Sequence, residues 1–233
     1  MPPTHPDPEK PAFHPTDILS AILLATTGGM LDAIVYLDHG HVFANAVTGN
    51  VIFLGIAAIS QDWPQVLRHI APIVAFMLGV IAARLLRQIP SRNGVIFVLA
   101  LEIAALFAVG LLPPGFPQLA FTSTIAFVSA FQVTTFRRVG RFTYNSTFVT
   151  GNLREVAEGI VDRWAALDPA ERWAGRAKAL KLGAICTAFL LGATFGAFVA
   201  PRFPAHAILF AEPPLLITLI LTLGRTLPDP TTD

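Results

Sequence analysis

Six mainly apolar stretches divide this chain, near Ile18–Leu37, His69–Leu86, Gly94–Leu112, Gln118–Phe136, Leu180–Ala200 and His206–Leu223. Each is close to the roughly 20 residues that a helix needs to cross a bilayer. A soluble core does not suit them. Only 13% of the 233 residues are charged and 54% are hydrophobic, whereas a soluble domain carries about 25% charge. The mean hydropathy of +0.62 agrees. The sequence therefore predicts an all-α, polytopic membrane helix bundle with about six spans. Two shorter segments are left over, near Thr48–Ser60 and Thr150–Trp164. The first is apolar but is stopped by Gln61-Asp62-Trp63-Pro64, and the second carries both signs of charge. Both are expected to be re-entrant half-helices or helices lying against the bundle.

Charge sets the number and direction of the crossings. With six spans, all 16 Lys and Arg residues except Arg68 and Arg202 fall on one side. The excess of Lys and Arg on cytoplasmic loops then places both termini in the cytoplasm. Extra crossings by the short segments would split the Arg clusters. Residues 1–15 are rich in proline, are expected to be a disordered tail, and do not read as a signal peptide.

An internal repeat runs through residues 16–228. Thr48-Gly49-Asn50 recurs as Thr150-Gly151-Asn152. Asp32 stands before Gly40 at the spacing at which Gln132 stands before Gly140, and Asn45 and Asn145 precede the two tripeptides. Ala75–Ala83 matches Ala188–Gly196. The halves, 16–113 and 115–228, each hold three crossings. An odd number forces them into opposite orientations, which is an inverted repeat of the kind common in secondary transporters. Small residues at Gly79 and Ala83, and at Gly192 and Gly196, predict close helix packing, within one bundle or across a homodimer.

The candidate site residues are the polar groups in this apolar setting. Asp32 and Glu102 are carboxylates inside spans, where charge is costly and usually faces the bundle or a wet path. Glu212 precedes two prolines that break a helix. Gln132 takes the place of Asp32 in the second half. Thr48, Gly49 and Asn50, with Thr150, Gly151 and Asn152, read as half-helix starts: Thr to cap, Gly for close approach, Asn to donate and accept. Free amides at such a start would favour an anionic group. Asn45 and Asn145 are further candidates. Asp38, His39 and His41 lack a third firm metal ligand. A net charge of +1 gives no reason to expect nucleic acid, and the lone Cys186 forms no intrachain disulfide. The chain carries no nucleotide or hydrolase motif. No enzyme, cofactor or metal is therefore expected.

Read together, GGMLDAIVYL with Gly29 and Asp32, FANAVTGN with Asn45, and FQVTTFRR followed by FVTGN make the chain similar to the YoaK-like, DUF1275 family of bacterial membrane proteins. The resemblance covers nearly everything after residue 16. It implies the fold and the membrane location and names no biochemical activity. The residues themselves favour a secondary transporter, coupled to protons through Asp32, for a small solute that the half-helix starts suggest is anionic. The alternatives are a passive channel or a non-catalytic membrane partner or sensor protein.

Overall fold

A computed structural model describes residues 17–86, 91–113, 115–140, 142–204 and 206–224. The expected tail, the basic residues Lys10, Arg87, Arg141 and Arg225, and the end of the second half lie outside the described residues. Eight helices form the described chain: α1 (Ile18–Asp38), α2 (Val47–Ile59), α3 (Trp63–Leu85), α4 (Ser91–Gly110), α5 (Gln118–Thr135), α6 (Val149–Ala165), α7 (Pro169–Val199) and α8 (Glu212–Leu223). A two-residue hairpin, β1 (Arg138–Val139) with β2 (Phe142–Thr143), joins α5 to α6. Two 3-10 turns, Ala200–Arg202 and Ala207–Ala211, lead from α7 to α8.

Local chemistry fixes several helix ends. Asp17 accepts from the Ser20 amide at 2.7 Å, Asp62 from Gln65 at 3.2 Å and Asp168 from Ala170 at 3.0 Å. Each acid satisfies an amide that the helix leaves without a partner and suits the positive end of its dipole. Pro64, Pro169 and Pro213 sit in first turns, where a missing N–H costs nothing. Gly40 and Gly140 follow α1 and α5 with φ of +82° and +58°. Both occupy the left-handed region that glycine enters most readily.

Four helices are long and apolar enough to span by length and composition: α1, α3, Asn93–Gly110 of α4, and Pro169–Arg202. Of the six expected spans, the other two are shorter or more polar. The α5 helix has 18 residues and carries Thr, Ser and Gln along its length. The last apolar stretch begins as a 3-10 turn, because Pro213 and Pro214 admit an α-helix only from Glu212 onward. The α7 helix starts at Pro169, well before the expected Leu180.

The pairing of the helices recurs when the halves are exchanged. Helix α1 packs on α7 as α5 packs on α3, α2 on α3 as α6 on α7, and α1 on α8 as α5 on α4. The two most extensive cross-half contacts bring backbones together at glycine. A Cβ on Gly192 would collide with the Thr26 carbonyl, and one on Gly29 with the Phe189 carbonyl. On α3, a Cβ on Gly79 would strike the Phe127 carbonyl of α5. The small residues thus serve contacts within one bundle.

These contacts also give direction. Gly192 meets Thr26 and Gly196 meets Met30, so α1 and α7 run the same way. The His39 ring at the end of α1 stacks on Phe121 near the start of α5, at 3.7 Å. At the other end, Ala21 and Ala25 of α1 cluster with Val139 and Tyr144 beyond α5. Helices α1 and α5 therefore run in opposite directions.

Gly192→Ala should overpack the α1–α7 seam at a cost of about 1–3 kcal/mol and lower the unfolding temperature of the purified protein in detergent. Among the described residues, a Cβ on Gly183 of the same helix meets nothing within 4 Å. Gly183→Ala should leave that temperature unchanged or raise it. Equal losses in both variants would contradict the close seam.

Candidate functional site

The site forms where irregular backbone reaches the middle of α1. Gly28 is the central residue of that 21-residue helix, about 15 Å from either end at 1.5 Å rise per residue. The loop after α1 folds back along it. Asp32 Oδ1 accepts from the backbone amides of Asn45 at 2.7 Å and Ala46 at 3.3 Å, and Asn45 Nδ2 lies 3.5 Å from the Gly28 carbonyl. Helix α2 then returns toward the end it came from. Its Phe53 lies 6.5 Å from Tyr36 near the end of α1 and 5.4 Å from His69 near the start of α3, ring centre to ring centre.

The loop before α6 arrives at the same glycine from the opposite end of α1. A Cβ on Gly28 would lie 3.0 Å from Thr147 Cγ2 and 3.3 Å from the Ser146 carbonyl. Asn145 Oδ1 accepts from the amides of Thr147 at 3.0 Å and Phe148 at 3.3 Å. These two amides correspond to those of Asn45 and Ala46, counted back from each tripeptide. In the first half a carboxylate from α1 satisfies them; in the second half a local amide side chain does.

The two tripeptides act mainly through their asparagines. Asn50 accepts from the Phe43 amide at 2.8 Å and donates to its carbonyl at 2.7 Å. Asn152 does the same to Asn145, at 3.1 Å and 2.6 Å. The structural counterpart of Asn145 is therefore Phe43, and Asn45 corresponds to Thr147, which corrects the pairing of Asn45 with Asn145. The threonines are not caps: the N-caps are Ala46 and Phe148, and Thr48 and Thr150 are exposed in the first turns. Gly49 is needed, since a Cβ there would lie 2.7 Å from the Phe43 ring, whereas one on Gly151 meets nothing within 4 Å.

The remaining acids take separate positions. Gln132 of α5 is buried against Glu102 of α4, Leu24 of α1 and Ser146. Glu212 begins α8, next to Ala211, whose carbonyl accepts from Thr27 Oγ1 at 3.4 Å. Asp32 Oδ2 and Asn45 Oδ1 are buried without a hydrogen-bond partner. Asp32 also lines an open groove of about 470 Å³ between α1 and α7, with Tyr36, Phe43, Phe189, Ala193 and Thr194 in its wall. A helix start that would have welcomed an anion is thus already occupied by Asp32. Gly28, Ser146 and Thr147 were not among the sequence candidates. Their signal was the Gly28-Gly29 pair inside a span and two hydroxyls just before the second tripeptide.

Among the described residues, no group of three His, Cys, Asp or Glu side chains could hold a metal. His39 and His41 instead make ring contacts with Phe121 and Tyr36. Burial holds the His39 imidazole down at about 4, against 6.5 ordinarily. The unfolded chain then binds the extra proton between these values. This contribution to stability is complete above pH 6.5 and is lost as the pH falls toward 4. His39→Phe should flatten that part of the stability profile, measured by thermal unfolding; an unchanged profile would deny His39 the role. Asn50→Ala or Asn152→Ala should cost about 1–3 kcal/mol for each buried backbone group left bare, whereas Thr48→Ala and Thr150→Ala should be silent in the same assay.

No solved structure matches this chain. It is 31% identical over 148 residues to the UPF0700 transmembrane protein YoaK of Bacillus subtilis (strain 168), an alignment covering 60% of this chain and 66% of that protein. The family described as "Protein of unknown function (DUF1275)" matches residues 20–221. On that match the chain belongs to the DUF1275 family of membrane proteins.

Proposed function

We propose that this protein is a secondary transporter of a small solute, with six spans arranged as two inverted halves in a bacterial inner membrane. One observation carries the reading: two loops from opposite ends of α1 meet at Gly28, at its centre. Irregular backbone at membrane depth is tolerated where it lines a cavity or is buried in protein, and transporters place half-helix starts at the midplane for binding. The opposed directions of α1 and α5 support the inversion. Arg68 and Arg202 lie at the end of the bundle away from Arg137, Arg138 and Lys181, which supports cytoplasmic termini.

The packing refines the mechanism. Each half lends its first helix to the other half's third helix, with backbones in contact at glycine. The moving bodies are then α1 with α7 and α3 with α5, rather than the two sequence halves. Motion along the seam between them exposes the Gly28 level first to one side and then to the other. Asp32 Oδ2, without a partner among the described residues and beside an apolar groove, suits a hydrogen-bond donor or a small cation. Among the described residues, no cationic side chain lines that groove to receive an anion.

Flux into proteoliposomes tests this, with a panel of small amines, neutral metabolites and anions. The unaltered protein should carry at least one amine or neutral donor in preference to anions. Asp32→Asn should reduce that flux at least tenfold. Gly28→Val, which drives a side chain into Thr147, should abolish it. Flux that is indifferent to both substitutions would overturn the assignment of the site.

A further inference from the structure

The Gln132 side chain joins the two bodies. One end of its amide lies 2.9 Å and 3.0 Å from the two carboxyl oxygens of Glu102. The other end lies 3.3 Å from the Leu24 carbonyl and 3.3 Å from Ser146 Oγ. Glu102 and Gln132 are fully buried, at 0% and 1% exposure. No ion pair reaches Glu102 among the described residues. On the elements packed against α4, the only titratable side chain is Glu212 of α8; α5 and the Ala207–Ala211 turn have none.

An amide has a donating end and an accepting end, so its two orientations need different partners. With Nε2 toward Leu24 and Ser146, the amide oxygen faces two carboxyl oxygens. That contact is a hydrogen bond only if Glu102 carries a proton. With Nε2 toward Glu102, an ionised carboxylate is satisfied and the amide oxygen accepts from Ser146 Oγ. The same oxygen then faces the Leu24 carbonyl, acceptor to acceptor, and the link from α5 to α1 is gone.

We propose that Glu102 is a reversible proton-binding site and that Gln132 transmits its state to α1. One proton taken from water onto a Glu102 oxygen turns the amide and closes the Gln132–Leu24 bond. Its release reverses both. Leu24 lies one helical turn below Gly28, so the bond closes the seam beside the two loops. The role in transport rests on the transporter reading above; the proton site and the amide switch do not.

Infrared difference spectroscopy of the purified full-length protein, titrated in lipid, tests the proposal without any solute. The spectrum should contain the carbonyl band of a protonated buried carboxylic acid that disappears as the pH rises. Asp32→Asn should keep that band and Glu102→Gln should lose it. In protein labelled with carbon-13 at glutamine, the side-chain carbonyl band should shift with the same midpoint, and Gln132→Leu should remove that shift. Gln132→Leu keeps Glu102 and should move the carboxylic band in frequency, so the test survives misfolding of the Glu102 variant. A titrating band untouched by both variants would overturn the proposal, as would the absence of any such band. Flux without the band would overturn this inference alone; the band without flux would overturn only the transporter reading.

Discussion

Two unwound segments can lie at the middle of a membrane bundle only if their backbone amides are satisfied there. In lipid no water does this, and each bare group costs several kcal/mol. The Asp32 carboxylate is the central answer: a single oxygen holds the amides of Asn45 and Ala46. Asn50 and Asn152 each close both backbone groups of a residue seven positions back. With these bonds in place, α2 and α6 can start deep in the bundle and return. Without them, each loop would have to withdraw to the surface, and nothing would meet at Gly28.

The two halves put matching positions to two uses. Position 32 is occupied by capping the first loop. In the second half Asn145 caps its own loop, so Gln132, at the matching position of α5, is released from that duty. The freed side chain turns to Glu102, Ser146 and Leu24. A carboxyl cap in one half and an amide contact in the other are therefore alternative solutions to the same local geometry. Asp32 and Glu102 thus have different surroundings: one is bonded to backbone amides, and the other faces an amide side chain.

Much of this was legible in the sequence, for identifiable reasons. Apolar length located the helices, and the Gly40 and Gly140 spacing located equivalent turns, because φ near +60° strongly favours glycine. The tripeptides marked α2 and α6, since a polar triplet in an apolar chain needs a reason. Their chemistry was misread at Thr48 and Thr150, because the true N-caps, Ala46 and Phe148, carry no capping side chain. The amides there are satisfied by Asp32 and Asn145. Such a bond crosses more than ten residues in the first half and only two or three in the second. No spacing rule distinguishes these cases. Gly28 was hidden for a similar reason: its importance lies in what two distant loops place on it.

The cross-half packing bears on how such a molecule can move at all. Small residues remove side chains from the α1–α7 and α3–α5 contacts, and backbone against backbone leaves little to slide or compress. In the proposed transport cycle those pairs move as units. The freedom lies between them, where the Gln132–Leu24 contact crosses from α5 to α1 and where α4 and α8 bridge. In the proposed transport cycle, a rigid pair on each side of a seam closed by a few hydrogen bonds forms the bistable element. It can be biased by whatever binds at the seam, whether a proton on Glu102 or a solute beside Asp32. Under the proposed transport cycle the recurring helix pairs have a mechanical meaning: exchanging the halves exchanges the two pairs, so a seam opened toward one side has a near-equivalent opened toward the other.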